Sequence, residues 1–417
     1  MKKDAGIMNS QLTVLVVSQV FPYPPHDGGR VDIYYRLKAL KSNGYRVLLV
    51  AFYNPRFPDL DISLLQECCD EIYPIPILSR KLSNIIHVKP YFICSRENHF
   101  IVDEVVQSLQ NKEKIDIVLS ESHHVLTVSN ILKTRLRVEK HYLRVHNNEA
   151  KFMLSVAKSS PLFSLNKPFF LLESFKYFCY EKSLLQSNKL DALLHISFEE
   201  CLAYQKKYPQ IKHCFLPAAV DLATLKSFKP KNSKNVLFVG ALFAPNNIHG
   251  LFWYLKNVHK FLEEEYPDYK LIIAGNTQGA NRSNIDKILR NSQNIQLIET
   301  PSDLDSVYEK ASVFINPMQY GAGVKIKNVN AIINAVPVVT TSIGNEGTGF
   351  KSNQHLSVCK TSTDFKNAVC DLLKDSDKQV EFVQESQEFL KKHYDQAALL
   401  KEVLESKRLP ADDLLTI

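Results

Sequence analysis

Thirteen short apolar runs, separated by stretches with helical spacing, constrain this chain more than any other feature. In the first half they are Leu12–Ser18, Arg46–Phe52, Glu71–Ile77, Ile115–Ser120, Tyr142–His146, Asp191–Ile196 and His213–Leu216. A run such as LTVLVVS is nearly continuous rather than alternating, as a parallel strand covered on both faces requires. Between the first two runs, Ile33, Leu37 and Leu40 recur at helical spacing, and Gly44 ends that helix. A second series runs through Asn235–Val239, Tyr269–Ala274, Ile295–Ile298, Ser312–Ile315, Val338–Thr341 and His355–Cys359. Alternation of this kind predicts two doubly wound, Rossmann-like α/β domains with parallel sheets. Ligands then bind at the carboxyl ends of strands, and a cleft between two such domains is a usual place for them.

The expected organisation is a first domain over residues 1–225 and a basic, Pro-containing linker over 226–234. A second domain follows over 235–385, then C-terminal helices over 386–417, the last of which can cross back to the first domain. Residues 150–190 interrupt the alternation as an inserted helical segment rich in Phe, Leu and Lys. Two readings of it stay open. Either it packs on the core with its lysines in water, or it rests on an anionic membrane surface or grips a lipid-linked acceptor.

The most informative stretch for chemistry is 311–347, ASVFINPMQYGAGVKIKNVNAIINAVPVVTTSIGNEG. It reads as strand, glycine loop, helix, strand, with Pro337 closing the helix. Glycines allow a ligand close to the backbone, and a helix N-terminus offers free N–H groups and partial positive charge to an anion. Lys325 and Lys327 add fixed charge at the same end, which suits a nucleotide-sugar diphosphate. The plain alternative is an α/β loop with surface lysines. In the first half, Gly28-Gly29 sits in the loop FPYPPHDGGR, either to face a diphosphate or to make a tight turn. Two polar clusters lie at strand ends, Ser120-Glu121-Ser122-His123-His124 and Arg144-Val145-His146-Asn147-Asn148-Glu149. Such groups bind sugar hydroxyls and move protons, or simply solvate and cap.

Composition excludes several classes. The net charge of +7 is too thinly spread to call for nucleic acid but suits an anionic substrate or membrane. The eight cysteines form no CxxC or zinc-like spacing, so they read as reduced thiols in the cytosol. Residues 1–11 lack an apolar signal core, and no run approaches the roughly 18 apolar residues of a membrane span. The expected location is therefore the cytoplasm, with peripheral contact at the inner face of the cell membrane under the second reading of 150–190.

From Leu12 to Leu404 the chain resembles the retaining family-4 glycosyltransferases of the GT-B fold, in particular bacterial enzymes of polysaccharide and lipid-linked sugar assembly. The stretches that carry this are GGRVDIYYRLKALKSNGYRVLLV, LDALLHISFEECLAYQKKYP, FLPAAVD, NVLFVGALFAPNN, LIIAG and GAGVKIKNVNAIINAVPVVTT. The resemblance implies two domains facing a cleft and transfer of a sugar, with retained configuration, from a UDP- or GDP-linked donor to a glycan or lipid-linked acceptor. It implies no further cofactor and no metal, and there is no Asp-x-Asp metal motif. It assigns Gly240, Gly323, Lys325, Lys327 and Asn330 of the second domain to the donor, with Lys327 holding the diphosphate. Gly28 and Gly29 match the family's loop over the donor phosphates. His123 matches a sugar- or acceptor-side histidine and, with Lys327, is the catalytic candidate. His146, Asn147 and Glu149 are the acceptor candidates.

The chain also departs from the family. Asn330 stands where members typically carry a glutamate for the ribose hydroxyls, Ala322 stands for a second glutamate eight residues earlier, and Asn334-Ala335 replaces the usual small residue and glycine. Hence a second expectation, a catalytically weak GT-B scaffold or glycan-binding protein that assists a partner transferase.

Overall fold

The computed structural model describes residues 11–25, 28–56, 60, 62–78, 83–110, 114–159, 166–187, 189–231, 233–290, 292–321 and 323–405. The chain divides into two compact units. The first holds Met1–Ile196, Glu200–Val220 and Gln396–Ile417, and the second Ser197–Glu199 and Asp221–Asp395. The stretch 226–234 lies inside the second unit, where Lys226 N–H donates to the Ile333 carbonyl and the Lys231 ammonium to those of Tyr308 and Ala311.

The first unit is built on a seven-stranded parallel sheet. Its strands are β1 (Thr13–Ser18), β2 (Arg46–Tyr53), β3 (Glu71–Pro76), β4 (Ile117–Ser120), β5 (Lys140–Val145), β6 (Ala192–His195) and β7 (Lys212–Phe215). Their order in space is β3-β2-β1-β4-β5-β6-β7. Every side chain of β1 is buried, because helices cover both faces, and this is why its sequence does not alternate. One face packs Val14 and Val16 with Ile33, Leu37 and Leu40 of the first helix. The other packs Leu15 and Val17 with Val102, Val105 and Val106. The last described helix, Gln396–Glu405, adds Leu400, Val403 and Leu404 to the first of these cores.

The second unit is built on six parallel strands. They are β8 (Lys234–Val239), β9 (Tyr269–Gly275), β10 (Ile295–Glu299), β11 (Val313–Asn316), β12 (Val338–Thr341) and β13 (Ser357–Cys359), in the order β10-β9-β8-β11-β12-β13. Both orders run outward in two directions from an inner pair, β1 with β4 and β8 with β11. Crossover helices leave that pair on opposite sides, so the loops at its carboxyl ends part and leave a crevice.

Three local features differ from the sequence reading. Gly28 and Gly29 are not in a loop: they open the helix Gly28–Ser42. The helical stretch after β8 is not one regular helix: a π-helical turn at Leu255–His259 separates Pro245–Tyr254 from Lys260–Glu265. The insertion is two helices, Glu149–Ser159 and Asn166–Gln186, packed on each other through Met153 and Tyr177.

Candidate functional site

In the second unit the crevice between β8 and β11 gathers the predicted donor residues. The chain leaves β8 at Gly240, where an added Cβ would lie 2.9 Å from Asn247 Nδ2 and 3.1 Å from Lys327 Nζ. Gly275 ends β9 with φ +150°, and a Cβ there would lie 2.0 Å from the Gly240 carbonyl oxygen. Glycine at 275 lets the two strand ends approach this closely, and glycine at 240 leaves room for the Asn247 and Lys327 side chains. Lys327 stands in the first turn of the helix Ile326–Ile333, which follows β11. Its ammonium donates to Asn247 Oδ1 at 2.7 Å and lies 4.8 Å from the centre of the Phe238 ring. Asn247 is in turn fixed by its own amide, which donates to the Ala241 carbonyl at 2.9 Å. Lys325 caps the same helix, is buried, and donates to the Gly323 carbonyl, so it braces the glycine loop. Asn330 lies one turn further along, half-buried.

Lys327 has no carboxylate partner among these contacts. Burial, helped by the nearby Lys325, pushes its pKa down from 10.5 to about 7. A desolvated ammonium held by one neutral amide is poised for an anion, which would restore its charge. The sign of the pH effect follows. In the free protein Lys327 loses its proton above about pH 7, and a bound diphosphate must return it. Nucleoside diphosphate affinity is therefore expected to fall by up to about tenfold per pH unit above 7, with proton uptake on binding. Calorimetry in buffers of different ionisation heat checks this; a flat affinity between pH 7 and 9 would count against it.

In the first unit the crevice between β1 and β4 is filled by charge. Asp32 and Arg36 of the first helix meet Glu121 after β4 and Arg144 and His146 at β5, and all but His146 are buried. Arg36 donates to Glu121 at 2.7 and 3.0 Å and to Asp32. Arg144 donates to Asp32, to the Leu216 carbonyl, and at 3.0 Å to the Pro217 carbonyl. Asp32 also accepts from Ala219 N–H at 2.6 Å. Burial alone would raise the Asp32 pKa, but Arg144 and Arg36 outweigh it and hold the carboxyl well below its usual range. The ligand atoms of Asp32, Glu121 and His146 lie within 4.8 Å of one another, a spacing that suits a cation. Two guanidiniums already claim both carboxylates, so the group is an ion-pair network.

The two predicted polar clusters are thus brought together. His146 Nε2 lies 3.7 Å from Glu121 Oε2, and His124 Nε2 3.8 Å from Glu149 Oε2. Glu149 is buried; burial raises its pKa, but His124 more than reverses this. Burial lowers the pKa of His124, whose ring stacks on Phe92 at 5.5 Å. His123 is buried, 3.9 Å from Glu181, whereas the His124 and His146 side chains are 17% and 14% exposed. Asn147 is half-buried beside them in sequence, and Gly28 and Gly29 lie on the first turn of the helix that carries Asp32. Sequence reasoning missed Asn247, Asp32, Arg36 and Glu181. The Asp32–Arg36 spacing on the apolar side of its helix was the available signal for two of them.

The sequence pattern described as "Glycosyl transferases group 1" matches residues 233–375, which contain the whole Gly240–Lys327 arrangement. A Klebsiella pneumoniae protein, "Uncharacterized 44.6 kDa protein in cps region", is 32% identical over 393 residues, covering 92% of this chain and 96% of that protein. The chain belongs to the group 1 glycosyltransferases. Among solved structures, a glycosyltransferase from Rickettsia africae shares 11% identity with a TM-score of 0.64, over 97% of this chain and 99% of that one. HepE of Anabaena, solved with UDP and glucose, shares 12% identity with a TM-score of 0.63, over 98% and 100%. At such identities the likeness concerns the fold, which is that of the GT-B glycosyltransferases. The glycosyltransferase thus carries its charged, glycine-lined crevice in the half that the family pattern matches.

Proposed function

We propose that this glycosyltransferase moves a sugar from a UDP- or GDP-linked donor to a glycan or lipid-linked acceptor. In this reading configuration is retained, no metal takes part, and the protein works as a peripheral protein at the inner face of the cell membrane. The observation that carries the proposal is the desolvated Lys327 ammonium at the Gly240 turn and the start of the Ile326–Ile333 helix. Positive charge and helix-end N–H groups at that point stabilise a departing diphosphate in the role a metal plays elsewhere. The diphosphate leaves and takes the acceptor's proton on the same face of the sugar, which is how configuration is kept. Gly323 lends backbone N–H groups, Lys325 braces its loop, and Asn330 meets the ribose. His123 serves the sugar side, and His146, Asn147 and Glu149 the acceptor. UDP in the HepE structure and the cps region of the Klebsiella protein support a nucleotide donor and a polysaccharide product.

Titration calorimetry with UDP, GDP and ADP, followed by mass spectrometry of products from a nucleotide-sugar panel with lipid-linked acceptors, tests the proposal. Micromolar binding of one nucleotide with product formation is expected. One observation favours a second reading. Asn330 lacks the charge that a glutamate would bring to the ribose, and a scaffold that assists a partner transferase would bind none of the three nucleotides. Asn330→Glu is expected to tighten nucleotide binding about fivefold, the worth of roughly 1 kcal/mol of charge assistance. An unchanged dissociation constant would remove Asn330 from the ribose.

A further inference from the structure

The helix Asn166–Gln186 is built inside out. Glu173, Lys176, Tyr177 and Glu181 face inward and are buried, while Leu171, Leu172, Phe175 and Phe178 face out, 46%, 41%, 65% and 54% exposed. The inward charged groups, Glu173, Lys176 and Glu181, are all engaged. Glu173 accepts from Tyr91 N–H at 2.7 Å and from the Lys176 ammonium at 2.8 Å, and Lys176 also donates to the Ile85 carbonyl at 2.6 Å. Glu181 accepts from the Tyr204 hydroxyl at 2.7 Å. These bonds fix the rotation of the helix, so the apolar stripe cannot turn away from its surroundings. Phe152 of the preceding helix is exposed as well, and Ile86 and Val88 stand out in the segment that Lys176 tethers.

The exposed charge on these two helices has one sign. Residues 149–187 contain three carboxylates, Glu149, Glu173 and Glu181, and all three are buried. The exposed charges of the same two helices are Lys151, Lys158 and Lys182. The exposed Lys207 adds its ammonium 5.9 Å from the Phe178 ring. Leu and Phe on one outward face, on helices whose exposed charges are all cationic and with Lys207 beside Phe178, match a helix lying in the headgroup–acyl boundary of an anionic bilayer. Among the described residues no helix is long and apolar enough to cross a membrane.

We propose that the outward face of Asn166–Gln186, centred on Phe175 and Phe178, inserts into the surface of an anionic lipid bilayer and holds the first unit there. This deepens the reading of a membrane-side, lipid-linked acceptor and rests on that reading only for its purpose. The test is flotation of the full chain with vesicles of equal parts phosphatidylcholine and phosphatidylglycerol, and with vesicles of phosphatidylcholine alone. Wild type is expected to float with the anionic vesicles and weakly with the neutral ones. The double variant F175S/F178S should lose at least about tenfold in partitioning, and K182E/K207E should lose mainly the preference for phosphatidylglycerol. All four positions are exposed, so thermal melting should stay near wild type. Equal flotation of wild type and F175S/F178S overturns the proposal. So does a lipid-independent dimer that F175S/F178S dissolves, which would make the face a contact between two copies of this chain. Calorimetry with UDP and GDP on the same variants separates the two readings. Nucleotide binding without flotation ends only the membrane contact, and flotation without nucleotide binding ends only the transferase.

Discussion

Lys327→Ala is expected to lower sugar transfer by about two to three orders of magnitude, the usual loss when one preorganised group at a developing negative charge is removed. Stability should not fall, and the melting temperature, expected at or above that of wild type, is the control. The Lys327 ammonium sits desolvated against Phe238 with a single neutral partner, Asn247, so in the empty protein it is a cost rather than a support. The sign of its linkage agrees. Its folded pKa, about 7, lies below the ordinary 10.5, so the unfolded chain binds more protons between these values and stability rises with pH there. Alanine removes this dependence together with the charge. Lys327→Arg keeps a cation but widens it, and the ammonium already lies only 3.1 Å from where a Cβ on Gly240 would stand, so partial rescue is the expected outcome. A Lys327→Ala protein with wild-type turnover would exclude the diphosphate from this crevice.

Asp32→Ala should have the largest effect on folding. It removes the carboxylate that faces Arg36 and Arg144, both fully buried, and the acceptor of Ala219 N–H. Breaking a buried network in this way costs about 3–5 kcal/mol, because an uncompensated charge stays inside. For a unit of this size that lowers its unfolding transition by on the order of 10 °C, read by calorimetry as one of two transitions. The pH dependence has the same sign as that of Lys327, but in an acid window. The folded pKa of Asp32 lies below its ordinary 3.8, so its stabilisation is complete above that value and is lost as pH falls toward the folded one. Asp32→Asn, similar in shape, should erase this acid-side dependence. Melting temperatures within a degree or so of wild type for Asp32→Ala would show that Glu121 alone balances both arginines.

The strands were legible almost to the residue, because a strand buried on both faces writes its burial directly as a continuous apolar run. Leu12–Ser18 against the observed Thr13–Ser18 is typical. Glycine was a poorer guide. Gly28-Gly29 reads as a break, yet it opens a helix whose next residues, Asp32 and Arg36, anchor the ion-pair network. Lys325 and Lys327 could be placed at a helix start from spacing alone, but not the Asn247 that holds Lys327, since it comes from a distant stretch of chain. The 150–190 segment shows the limit most clearly. Its mixture of Phe, Leu, Glu and Lys is the same whichever way the helix is turned, and only the partners of Glu173, Lys176 and Glu181 decide that the charges face inward.

The first unit takes its final helix from the far end of the chain. Asn43 donates to the Ala397 carbonyl at 2.7 Å, the Tyr45 hydroxyl donates to Glu405 at 2.7 Å, and Leu400, Val403 and Leu404 complete the packing around Leu37 and Leu40. A ribosome that has released residues 1–220 has therefore not yet supplied everything their fold needs. The amino-terminal half stays unfinished until residues 396–405 have been made, and a fragment cut after Val220 would leave a greasy groove along the helix Gly28–Ser42 for chaperones or other chains to find.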